Sequence, residues 1–127
     1  MAPERREHRP LIEVLYIQDC PHYQGVLALV ERVRAELGVD AELRTTLIGD
    51  QQAAERARFP GSPTIRVNGA DIEPGGPPPG MSSLACRLYR DEGGLAGWPA
   101  ERWIRDALLE APSAPPAPAT ARPGGPA

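Results

Sequence analysis

The run LIEVLYI, from Leu11 to Ile17, is succeeded within ten residues by a second patterned stretch, VLALVERVRAEL, over residues 26–37. The first is β-rich and too short for a helix, so it reads as a buried strand. The second spaces Val26, Leu29, Val30, Val33 and Leu37 three and four residues apart, which makes one apolar helical face, and Gly38 stops it. A strand that feeds directly into a helix is the opening of an α/β fold, and residues 39–59 repeat the pattern.

VDAELRTTLI, residues 39–48, alternates well enough for a second strand, and DQQAAERARF makes a short helix with Asp50 as its N-cap. A turn in PGSP leads to a third strand, Thr64 to Val67, ended by the Asn68-Gly69 turn signal. ADIEPGGPPPGMSS, residues 70–83, carries too much proline and glycine for regular structure and reads as a long loop. LACRLYR, residues 84–90, reads as a fourth strand with Leu84, Cys86 and Leu88 on one face. GWPAERWIRDALLEA gives a last helix with Pro99 near its first turn and Trp103, Ala107 and Leu108 facing inward. One domain over residues 11–110 is expected, with an N-terminal arm over 1–10 and a Pro/Ala-rich tail over 111–127 whose composition is that of disorder.

With 127 residues and a formal charge of −3, its arginines scattered, the chain carries no basic footprint, so no nucleic-acid partner is expected. The opening MAPERREHRP is polar, and the apolar stretch after it is only a few residues long. Neither a signal peptide nor a membrane span is read from it, and a cytoplasmic location is expected. In that compartment Cys20 and Cys86 are reduced thiols, a redox pair or core residues.

Cys20 lies between the first strand and the first helix, in CPHY, residues 20–23. A thiol at a helix N-terminus faces unpaired backbone N–H groups and the positive end of the helix dipole, which favour the thiolate. His22 can add charge or a hydrogen bond, and Pro21 suits a first helical turn. CPHY resembles the Cys-Pro-His-Cys of DsbA-type oxidoreductases with its last cysteine changed to Tyr23. GSPT, residues 61–64, resembles the Xaa-cis-Pro segment that begins the third strand of the thioredoxin fold. The two stand in the order of that fold, with a β-α between them. The resemblance implies a thioredoxin-like β-α-β-α-β-β-α three-layer sandwich with a mixed four-stranded sheet. It also implies a cis bond at Ser62-Pro63, and a substrate-docking edge formed by Ser62, Pro63 and Thr64 beside Tyr23.

On that resemblance Cys20 is the nucleophile of a thiol–disulfide exchange protein, with His22 tuning it. Tyr23 removes the local second thiol, so the mixed disulfide is resolved by an external low-molecular-weight thiol, or by Cys86 if the fold brings it close. The implied partner is a protein or a small thiol or disulfide; no cofactor, resident metal or membrane partner is expected. Alternation with Leu84 and Leu88 makes Cys86 a core cysteine whose change to serine costs stability, whereas the long loop before it permits a return to Cys20. Two other readings stand beside this one. CRLYRDEGGLAGWPAERW, residues 86–103, is similar to the segment after the second active-site cysteine of alkylmercury lyases, which implies soft-metal chemistry at Cys20 and Cys86 with Asp19 as the acid. In those enzymes the acid stands three residues after its cysteine, where this chain has Tyr23. The last reading is a non-catalytic module that binds a protein through the Pro63 edge or the long loop.

Overall fold

The computed structural model describes residues 9–77, 80, 82–91 and 94–111. The expected arm and tail lie outside these residues, except for Arg9, Pro10 and Ala111. Strand β1 (Leu11–Tyr16) is followed by α1 (Tyr23–Leu37), β2 (Glu42–Leu47), α2 (Gln51–Ala57), β3 (Thr64–Val67) and β4 (Ala70–Asp71). Then come β5 (Tyr89–Asp91), β6 (Gly94–Ala96) and α3 (Glu101–Glu110). The chain is mixed α/β, with a four-stranded mixed sheet in the order β2-β1-β3-β4. β1 runs parallel to β2 and antiparallel to β3, and β3 and β4 form an antiparallel hairpin. No helix among the described residues is long and apolar enough to cross a membrane.

Alternation along β1 separates two cores. Ile12 and Val14 join Val26, Val30 and Val33 of α1, Ile65 and Val67 of β3, and Trp103, Ile104 and Leu108 of α3. Leu15 joins Ile48, Phe59 and Ala54 of α2 in a smaller cluster. Each fully buried valine or isoleucine contributes about 1.5–3 kcal/mol, so the α1 face is the main source of stability. Local signals set the boundaries: Asp50 accepts from the Ala53 N–H at 2.8 Å to cap α2, and Gly38 ends α1 at φ 67°. Asn68 and Gly69 take positive φ, 52° and 86°, as a tight hairpin requires.

Arg32 of α1 and Arg105 of α3 tie the two helices together through Glu101 and Glu36. Hydrogen bonds from Arg105 hold both carboxyls below their ordinary range. Because the folded values are depressed, this contribution is complete above the ordinary carboxylate range and is lost as pH falls through the folded values. Denaturant midpoints for Glu101→Gln are therefore expected to fall less steeply with acidification, between roughly pH 5 and pH 3, than those of the wild type. Parallel curves would show that the network adds nothing.

The expected fourth strand over residues 84–90 does not form. The fourth strand of the sheet is the two-residue β4, and residues 84–90 divide between an isolated parallel bridge, Ser62 to Cys86, and β5, which pairs with β6 in a separate ribbon. The alternation also runs the other way. Arg87 and Tyr89 are buried, at 4% and 2% exposure, while Leu84, Cys86 and Leu88 face solvent. The core reading of Cys86 is thereby overturned. Arg87 can be buried because two carboxylates neutralise it, and Tyr89 because its hydroxyl finds a carbonyl.

Candidate functional site

β1 ends at Tyr16, and a turn closed by the Cys20 N–H donating to the Ile17 carbonyl at 3.3 Å carries the chain to the cysteine. Asp19, at φ 63°, is the exposed corner of that turn. Cys20 is half-buried and its thiol is free. The helix begins three residues before the apolar spacing read from Val26, with His22 as the N-cap and Tyr23 as the first helical residue, so Pro21, expected in the first turn, stands outside the helix. The His22 side chain makes no capping hydrogen bond. Its ring lies against Gly97 and 5.4 Å from the Trp98 ring, and the Trp98 indole in turn covers Gly25 of α1. A side chain at Gly25 would overlap that indole. Tyr23 stacks on Tyr16 with ring centroids 3.7 Å apart and packs on the main core, so it serves as a wall.

Ser62 is the residue on which the site is built. Its bond to Pro63 is cis, and it is fully buried. Its hydroxyl accepts from the Ile17 N–H at 3.0 Å, tying it to the turn that carries Cys20. Its own N–H donates to the Ala85 carbonyl at 2.8 Å, and its carbonyl accepts from the Arg87 N–H at 2.9 Å. Both backbone groups of Ser62 are therefore paired within the chain, and Cys86 stands opposite it. The expectation of an open docking edge at Ser62, Pro63 and Thr64 does not hold, since Pro63 and Thr64 are buried as well. The binding-module reading loses its Pro63 edge for the same reason.

Further contacts from Arg87 and Tyr89 clamp the Cys86 segment in place. The Arg87 guanidinium donates to both oxygens of Asp71 at 2.7 and 3.0 Å, to Glu73 at 2.7 Å and to the Thr64 hydroxyl at 3.0 Å. It lies 4.2 Å over the Tyr89 ring. Burial, the largest single influence, opposes the charge on Arg87, but Asp71, Tyr89 and Glu73 together outweigh it and leave the guanidinium above its ordinary value. The Tyr89 hydroxyl donates to the Pro63 carbonyl, and burial raises that phenol well above its usual range, so it keeps its proton as a donor. Gly61, at φ 144°, allows Arg87 to pass against the backbone.

Sequence reasoning named Cys20, His22, Tyr23, Ser62, Pro63, Thr64 and Cys86, and the structure brings them to one end of the sheet. It missed Arg87, Tyr89, Asp71, Glu73 and Gly61. The available signal was an arginine in an alternating run with an Asp-x-Glu pair upstream in the loop. Cys86 opens onto a cavity of about 570 Å³ whose wall includes Pro60, Leu88, Arg90 and Leu95. No group of three or more His, Cys, Asp or Glu side chains that could hold a metal ion occurs among the described residues. No family model and no curated protein matches the chain.

Proposed function

We propose that the chain is a thioredoxin-like thiol–disulfide exchange protein whose working thiols are Cys20 and Cys86. The observation that carries this is the double pairing of Ser62: the Ile17–Cys20 turn binds its side chain and the Ala85–Arg87 segment binds its backbone. The strand order β2-β1-β3-β4 supports the thioredoxin-like reading. The thiol that Tyr23 displaces from the helix is supplied from another part of the chain. The Cys20 thiolate attacks one sulfur of a disulfide, the S–S bond breaks and one thiolate leaves. The Cys86 thiolate then attacks the Cys20 sulfur, the second thiolate leaves, and the protein dithiol has become a disulfide as the substrate disulfide became two thiols.

Thiol release and the mass of the protein product test this. Reduced wild type and a small aromatic disulfide are expected to give about two thiols per chain and an internal disulfide. Cys86→Ser should stop at the mixed disulfide after about one, and Cys20→Ser should react slowly if at all. Exposed Cys86 tolerates serine, so the variant's free energy of unfolding should stay within about 0.5 kcal/mol of wild type. A Cys86→Ser protein that still releases both thiols would remove Cys86 from the site.

A second reading is capture of a soft, thiophilic metal ion by the same pair. Two free cysteines on the two segments that bind Ser62 favour it, and Asp19 adjoins Cys20. Mercuric ion bound at one per chain by wild type, and lost from either serine variant under thiol competition, is its expected signature.

A further inference from the structure

An extended polypeptide docks at a sheet by pairing its backbone with unpaired N–H and C=O groups. At the Cys20 end of β3 those groups belong to Ser62, and the chain has already used them. We infer that Ala85–Arg87 is a tethered occupant of this edge, and that the site consequently takes low-molecular-weight disulfides and excludes disulfides carried on extended polypeptide. The inference rests on the exchange activity proposed above and names its substrate class.

Four observations support it. The pairing has the form of an added strand, one residue, Cys86, lying opposite Ser62 with a hydrogen bond on either side. The occupant is fixed rather than loosely laid down, because Arg87 is anchored by Asp71, Glu73 and Thr64, and Tyr89 by the Pro63 carbonyl. It carries its own cysteine, Cys86, directly opposite Ser62. Finally, Cys86 lines a cavity of about 570 Å³ with apolar Leu88 and Leu95 in its wall, of the size that takes a small molecule, and this space adjoins the second thiol, Cys20 not being among its lining residues. A peptide could still pair with the outer side of Cys86, but one strand further from β3 and so away from Cys20.

The test uses two probes with the same leaving group: thionitrobenzoate disulfide-linked to N-acetylcysteine amide, and the same group on the central cysteine of a ten-residue extended peptide. Release of thionitrobenzoate from each by the reduced full chain gives two second-order rates. Two backbone hydrogen bonds denied to the peptide, with the steric block, are expected to make the small probe faster by about tenfold or more. The ratio should fall in Tyr89→Phe, which loses one anchor, and further in Arg87→Ala where that variant is folded by circular dichroism. A wild-type ratio near one overturns the inference while leaving the exchange reading intact. So does a ratio that stays high in both variants, since the exclusion would then not arise from the segment they anchor. Release that does not depend on Cys20 with either probe overturns the exchange reading and the inference together.

Discussion

Arg87→Ala is expected to lower the free energy of unfolding by about 3–5 kcal/mol, because it leaves Asp71 and Glu73 as poorly hydrated carboxylates without their cation. The loss should exceed that of any exposed arginine. Arg32, whose pairs with Glu36 and Glu101 are solvent-exposed, provides the comparison and should cost far less. Arg87→Lys should fall in between, since an ammonium cannot reproduce the two-pronged contact with Asp71. Removing the orphaned carboxylate as well, in Arg87→Met/Asp71→Leu, should recover part of the loss. Denaturant unfolding of these variants and the wild type in one buffer checks this. Equal midpoints for Arg87→Ala and wild type would mean that the segment stays on Ser62 without its anchor.

Gly61→Ala carries the second large effect. At φ 144° an L side chain is strained, at about 1–3 kcal/mol, and this site offers no room for relaxation. A methyl group there would stand 2.9 Å from the Arg87 Cβ and 3.1 Å from its Cα, against backbone rather than the end of a flexible chain. The segment must move away, which lengthens the bond from the Arg87 N–H to the Ser62 carbonyl. Amide hydrogen exchange at Arg87 should accelerate along with the fall in midpoint. Gly49→Ala, where a methyl group meets nothing within 4 Å, is the control and should change little. An unchanged Arg87 exchange rate in Gly61→Ala would contradict the close approach.

The readable parts of the chain were those in which one local rule decides the outcome. Apolar spacing in Val26, Val30 and Val33, the Asp50 cap and the Asn68-Gly69 turn each act within a few residues, and each is where the pattern puts it. Cys20, at the strand-to-helix turn, was legible for the same reason. β4 was not, because two residues carry no period. The apolar spacing begins only at Val26, whereas α1 begins three residues earlier, at Tyr23, and the indole that covers Gly25 comes from Trp98, a residue remote in sequence. Cys86 was misplaced because Leu84 and Leu88 outrank arginine on any scale of hydrophobicity. A residue's burial depends on its partners, and those of Arg87 lie more than a dozen residues away in a segment that reads as loop.

The order in which Ser62 acquires its partners also matters during synthesis. Everything needed for β1, α1, β2 and β3, together with Cys20 and the Ile17 contact, has been translated before Ala85, Arg87 and Tyr89 exist. For that interval a nascent chain has Cys20 beside an uncovered backbone edge, the condition under which partly made domains pair with the wrong neighbour. Arrival of residues 85–89 ends the interval by covering the edge and bringing Cys86 to Ser62 in the same step, so that on the exchange reading proposed above the protein closes its own vulnerable surface at the moment its site becomes complete.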